Sequence, residues 1–196
     1  GATKYNEKID IWSAACVIAE LIKMSPLFPG KDSKKQITEI FKVLGTPSPE
    51  EVTAMNPSYK NKTFPGLVPL SFEVHFPPTT SGVALDFLSS MLVYDPAKRP
   101  RAIQALAHPF FNELKQPRLE LPNQQGTLPL DIFHFTQEEY NSMPALIETS
   151  LLPEWLPEGF MADVDRTHLH LNPRNKPSGG RRGARGVSLQ KTSSHL

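Results

Sequence analysis

The residue types that hold metals or move acyl and phosphoryl groups are sparse in this sequence and poorly spaced for such work. No glycine-rich loop that would cradle phosphates, no serine, histidine and acid set, and no Cys/His cluster with zinc spacing occurs in its 196 residues. His168-x-His170 is the one paired-imidazole pattern, and in a polar segment it reads as incidental; no metal site is expected. Arginines 181, 182 and 185 alternate with glycine over residues 179–186, the chemistry of a phosphate- or carboxylate-binding strip. The run is short and isolated, so a solvated tail is the simpler reading and RNA or an acidic surface the rival one. Asp10 opens an apolar run, where a carboxylate can accept bonds from free backbone N–H groups and meets the positive end of a helix dipole. Cys16, the only cysteine, sits inside that run and reads as a small core residue rather than a disulfide partner.

Composition bounds the elements that must position any such groups. A chain with 39% hydrophobic and 21% charged residues is of ordinary globular character, and 21 basic against 20 acidic residues leave a net charge of +1, which argues against a polyanion-binding surface over the whole chain. The 20 prolines are about double the usual share and cluster in connections, so short helices separated by stiff loops are expected, with few strands. The longest apolar stretch, residues 14–22, contains Glu20 and is far short of the roughly 20 residues a bilayer needs. No leader is visible before the first apolar run, and the lone cysteine fits a reducing compartment, so an intracellular location in cytoplasm or nucleus is expected, with no membrane association.

Residues 9–24 carry apolar side chains around nearly the whole helical circumference, so this helix expects cover on most sides and an exposed apolar patch where cover is missing. Ser25 and Pro26 should end it. Ile37, Ile40, Phe41 and Leu44 follow the i, i+3, i+4, i+7 spacing of an amphipathic helix, with Ser33-x-x-Gln36 as a capping box and Gly45 as the stop. Ser48-Pro49-Glu50-Glu51 opens a short helix to about Met55. Residues 56–79 form a long proline-rich loop bearing Tyr59, Phe64, Leu67, Phe72 and Phe76, either packed down or open to a partner. A further helix holds Ala84, Phe87, Leu88, Met91 and Leu92, and a compact one covers residues 102–107, with Phe110 and Phe111 as anchors. Thr136-x-x-Glu139 caps another short helix. The sequence from 164 onward has almost nothing to bury.

Asp10-Ile11-Trp12-Ser13, Pro26-Leu27-Phe28-Pro29-Gly30 and Asp95-Pro96-Ala97-Lys98-Arg99-Pro100 together resemble the C-lobe of eukaryotic protein kinases. Residues 42–47 (KVLGTP), 55–59 (MNPSY), 107–114 (AHPFFNEL), 121–123 (LPN) and 133–136 (FHFT) are similar to the glycogen synthase kinase-3, or shaggy, family. That resemblance covers residues 1–145. It implies a mainly α-helical partial kinase C-lobe without an N-lobe over residues 1–114 and a family-type extension over 115–145; outside it, composition marks 146–196 as a low-complexity, largely disordered basic tail.

The resemblance also implies roles. In such a kinase the residue matching Asp10 bonds to the catalytic loop and Trp12 belongs to the same motif, so both read as support for that loop, with no catalytic residue in this chain. Arg99 would form a structural ion pair with a glutamate upstream of Gly1; without it, Arg99 should turn to solvent or to another acid. Residues 34–67 correspond to a groove that receives helical peptides from scaffold proteins, with Ile37, Tyr59, Phe64 and Leu67 as apolar anchors, although Ile37 and Phe64 suit core packing equally well. Lys34, Thr38 and Lys62 stand where that family usually shows apolar or aromatic residues. Ala15 replaces its usual glycine, and Arg101 stands where serine or threonine usually caps the helix of 102–107. The implied reaction of the intact parent is ATP- and magnesium-dependent phosphorylation of protein serine or threonine, with neither cofactor bound by this stretch. A non-catalytic, pseudokinase-like docking module for protein partners is the alternative.

Overall fold

Helix α1 (Lys8–Lys23) is the element on which the first core is assembled. It is seen in a computed structural model that describes residues 5–59, 64–122, 126–161 and 163–164. One face of α1 buries Ile11, Ala15 and Ala19, and against it pack Leu27, Phe28, Phe87, Leu88, Met91 and Leu92. Ala15 is fully buried at this contact, so its methyl group is part of the packing. The opposite side of α1 is open: Ile9, Val17, Leu21 and Met24 remain exposed. The all-round apolar pattern therefore finds only partial cover, and Ile9, Val17 and Leu21 face water beside the exposed Ser13 and Glu20.

The start of α1 differs from expectation. Asp10 is not its cap: the Lys8 N–H donates to Asn6 Oδ1 at 3.2 Å, and the Asp10 N–H donates to the Glu7 carbonyl at 3.1 Å. Asn6 is an Asx-type residue two positions before the donor it satisfies, a signal the apolar pattern conceals. The helix ends at Lys23, with a left-handed Met24 (φ 58°) as its C-cap immediately before Ser25 and Pro26.

Helix α2 (Ser33–Leu44) is amphipathic and buries Phe41 and Val43. Its cap is Asp32, whose carboxylate accepts from Lys35 N at 2.9 Å, in place of the expected Ser33–Gln36 box. Asp competes well for this position, and here it lies one residue nearer the turn. The turn needs glycine at 30, where a Cβ would stand 2.3 Å from the Gln36 Cα. Gly45 stops α2 with φ 82° and lets Pro69 approach closely, both of which exclude a side chain.

Helix α3 (Pro49–Met55) carries the full Ser48/Glu51 capping box with proline at its first turn. Short 3₁₀ turns at Pro57–Tyr59 and Phe72–His75 tie down the following proline-rich segment, and Phe76 is buried in the first core. Helix α4 (Gly82–Met91), capped by Ser81, presents Phe87 to Phe110 (stacked, 4.8 Å) and Phe111 (edge-on, 5.2 Å). Helix α5 (Ala102–Leu106) begins at Arg101, whose backbone N–H is taken by Gln104 Oε1 at 2.8 Å. A guanidinium has no acceptor to return, so only half of a capping box exists.

Beyond α5 a second cluster forms. Helices α6 (Gln137–Ser142, with the Thr136/Glu139 box) and α7 (Pro144–Leu146) run into a π turn at Ile147–Leu151. Phe135, Tyr140, Ile147, Leu151, Met161 and Val164 bury together against Ile103 and Ala107 beside α5. The division expected at 145/146 is therefore corrected. Residues 146–161 are packed chain, because Ile147, Leu151 and Met161 supply an apolar set that prolines and turns spread too irregularly for a helical period to reveal. The expected tail of 165–196, with His168, His170 and the Arg/Gly run 179–186, lies outside the described residues. Among the described residues no strand occurs beyond the isolated bridge Glu120–Thr127, and no helix is long and apolar enough to cross a membrane. The fold is thus mainly α, with the helical content of a kinase C-lobe part.

Candidate docking groove

A groove of about 980 Å³ runs between the start of α1, α2, α3 and the segment following α4. From the α1 side come Tyr5, Ile9 and Trp12, and α2 supplies Ile37, Ile40 and Phe41. Val52 and Met55 belong to α3, followed by Tyr59 and Phe64, while Tyr94, Asp95 and Arg99 close the far end. Helical spacing explains the α2 contribution, since residues 37, 40 and 41 share one face.

Aromatic packing holds the groove open. Phe64 meets Phe41 edge-on at 5.3 Å, and Phe41 meets Tyr94 edge-on at 6.3 Å. The Tyr94 hydroxyl donates to the Gly45 carbonyl at 2.5 Å, fixing the α2 C-terminus against this row. Burial, aided by the Glu51 charge, pushes the Tyr94 phenol above its ordinary value. Ile37 is 44% exposed at the rim, a large apolar side chain facing water. Of its two readings the exposed one applies, whereas Phe64 is half-buried and serves as packed wall.

Arg99 does not turn to solvent or to an acid, which corrects the expectation for it. Its side chain is buried, donating from Nε to Val93 O (2.9 Å), from Nη1 to Lys8 O (2.9 Å) and from Nη2 to Tyr94 O (3.3 Å). Its guanidinium also lies 4.8 Å from the Trp12 ring centre, and Trp12 stacks on Phe28. In return Lys8 Nζ donates to Arg99 O at 2.7 Å, so the start of α1 and the α4–α5 connection are clamped reciprocally. Among the described residues no carboxylate lies within salt-bridge distance of Arg99. Carbonyl dipoles supply the compensation, because a rigid fork can reach three of them at once. Burial lowers the Arg99 pKa, with Asp95 and then Cys16 opposing it; the Cys16 thiol is itself pushed up by burial and held back by Arg99.

The structure thus brings Trp12, Arg99, Ile37, Tyr59 and Phe64 to one groove and leaves two expected residues outside it. Asp10 is exposed in the first turn of α1, with no hydrogen bond to its carboxylate among the described residues. Leu67 does not line the groove; its backbone is bonded to Thr46, with Thr46 N donating to Leu67 O at 3.1 Å and Leu67 N to Thr46 Oγ1 at 2.8 Å. Lys34 and Thr38 are exposed on α2 and line no part of the groove, while Lys62 lies outside the described residues. Tyr94 and Phe41 form the groove's spine, and no local pattern marks either as a site residue: Tyr94 lies 49 residues from its partner Gly45, and Phe41 meets Phe64 across a loop.

The family model for the protein kinase domain matches residues 1–111. The chain belongs to the protein kinase domain family. All of the groove's lining falls inside this kinase-domain stretch, and the second cluster extends beyond it through residues 135–164. No phosphate-cradling glycine loop is present, and among the described residues no group of three or more His, Cys, Asp or Glu could hold a metal ion. No step through ATP or magnesium is assigned to them. The lining they form is mainly apolar, with the buried Arg99 guanidinium at its end.

Proposed function

We propose that this chain is the C-lobe part of a serine/threonine protein kinase of the glycogen synthase kinase-3 (shaggy) type, and that the groove between α1, α2 and α3 receives an amphipathic helix from a scaffold or substrate protein. The whole protein would use ATP and magnesium to phosphorylate protein hydroxyls, and the stretch in hand would supply the platform and the docking surface. The KVLGTP, MNPSY and AHPFFNEL stretches support the family branch. The docking half is carried by the pairing of a water-exposed Ile37 with a prebuilt aromatic wall, Phe41–Phe64, across one concave surface. An apolar helix face laid into such a groove gains burial at both without rearranging the wall.

Titration with a fluorescein-labelled, leucine-rich amphipathic helical peptide tests the docking half. Binding should weaken at least about tenfold in Ile37→Asp, where docking must desolvate a carboxylate. Leu67→Asp should bind as the parent does. Equal affinities for the parent and Ile37→Asp would remove the groove from the account. The transferase half is tested on protein expressed from the complete reading frame containing these residues. Transfer of labelled γ-phosphate to a serine peptide supports it; binding with no transfer favours the non-catalytic docking reading.

A further inference from the structure

Beyond the kinase-domain stretch lies a second cavity, of about 520 Å³, which shares no lining residue with the docking groove. Four stretches of chain enclose it. Pro117 comes from the segment after α5, Leu119 and Leu128 from the two sides of the Glu120–Thr127 bridge, Leu130 and Phe133 from a 3₁₀ turn (Leu130–Phe133), and Trp155 from the chain beyond α7. These walls are fastened to one another: Leu128 N donates to Leu119 O at 2.8 Å, Leu121 N to Gly126 O at 2.7 Å, and Trp155 Nε1 to Lys115 O at 2.8 Å across 40 residues. Phe133 is buried and meets the half-buried Trp155 edge-on, with ring centres 6.0 Å apart. The indole N–H is thus spent on the backbone, and the ring offers the cavity apolar surface.

Of the residues lining this cavity only Arg118 can carry a charge. It is exposed, and its guanidinium makes no ion pair or hydrogen bond among the described residues. Its backbone is left-handed at φ 56°, a conformation that disfavours a long side chain and is held here between the Trp155–Lys115 bond on one side and the Leu119–Leu128 bond on the other. Lys115, the nearest cation along the chain, is already engaged with Asn112 Oδ1 at 3.0 Å. Glu113, Glu120, Asp131, Glu154 and Glu158 lie on the same segments but line no part of the cavity. We propose that this cavity binds a small monocarboxylic acid with an aromatic or branched apolar body, the body laid against Trp155, Leu119 and Leu128 and the carboxylate paired with Arg118. The volume falls in the range of small-molecule sites, and an apolar lining with one charged group is their usual make-up. A planar guanidinium donates to both carboxylate oxygens at once, whereas a neutral ligand with the same body leaves it in water. The site is independent of the docking reading given above.

The test is fluorine NMR of the full chain labelled with fluorotryptophan, because its two tryptophans report on the two concave sites: Trp155 lines this cavity and Trp12 the docking groove. Trp155→Phe assigns the resonances. Titration with hydrocinnamate should shift the Trp155 line and leave Trp12 in place, with binding at least about fivefold tighter than that of hydrocinnamyl alcohol. Arg118→Gln should bring the two ligands within about twofold of each other, and Arg118→Lys should keep part of the difference. Since Arg118 is exposed and makes no internal bond among the described residues, both variants should leave the unliganded Trp155 line where it is. No Trp155 shift at millimolar hydrocinnamate, a shift of Trp12 alone, or equal affinity for acid and alcohol would each overturn the proposal. So would a preference for the acid that survives Arg118→Gln.

Discussion

Replacing Arg99 by alanine should destabilise the chain by about 3 kcal/mol, and the number follows from its surroundings. Three buried carbonyls, of Val93, Lys8 and Tyr94, lose their donor together, at about 1 kcal/mol each for an acceptor left partly out of reach of water. Loss of the side-chain stem and of the contact over Trp12 adds to the cost, while relief of the guanidinium's desolvation offsets a similar amount. Urea unfolding followed by tryptophan fluorescence measures it, with Trp12 reporting on the first core and Trp155, packed on Phe133 and bonded to Lys115 O, on the segment after α5. Arg99→Lys should recover little, because an ammonium cannot span three carbonyls on separate lines. A cycle with Trp12→Leu should show coupling of about 0.5–1 kcal/mol. A loss below about 1 kcal/mol for Arg99→Ala, or full stability in Arg99→Lys, would refute the view that carbonyl dipoles replace a carboxylate here.

Tyr94→Phe should cost about 1 kcal/mol in the same assay, since the Gly45 carbonyl loses its buried donor. Because the folded phenol titrates above its ordinary 10.0, the hydroxyl's contribution is complete below pH 10 and declines as pH rises further, where only the unfolded chain gains the charge; a spectrophotometric titration should show one tyrosine ionising late. Gly30→Ala should be more damaging than an ordinary glycine replacement, by about 2 kcal/mol or more, because the new methyl group meets α2 backbone rather than a movable side chain; a normal melting curve would show that the turn can yield. Arg101→Ser should raise stability by about 0.5–1 kcal/mol, completing the half-formed box with Gln104, and thermal melts would detect it.

Local features were legible in the sequence wherever one short stretch carried the whole cause. The Ser48 and Thr136 boxes, the Gly45 stop and the amphipathic spacing of α2 each satisfy backbone groups or bury side chains within a turn or two, so residue order alone determines them. The kinase signatures belong to the same class, since the contiguous motifs at 10–13, 26–30 and 95–100 fall within the stretch matched to the kinase domain. Small displacements, such as Asp32 capping in place of Ser33 and Asn6 in place of Asp10, arose because several polar residues compete for one set of free N–H groups.

Tertiary structure decided everything that depends on distant partners. Arg99 finds one of its three carbonyls 91 residues away at Lys8, and a pattern that marks it as an ion-pair residue cannot tell that dipoles will serve. Leu67 and Ile37 are equally apolar, yet one is fastened to Thr46 and the other left at the groove's rim. The second core joins Phe135 to Val164 and reaches back to Ile103, through prolines that erase any period. Helix and cap are consequences of neighbours along the chain, whereas burial is a property of where the chain returns, and only the folded arrangement determines which apolar side chains are left facing water.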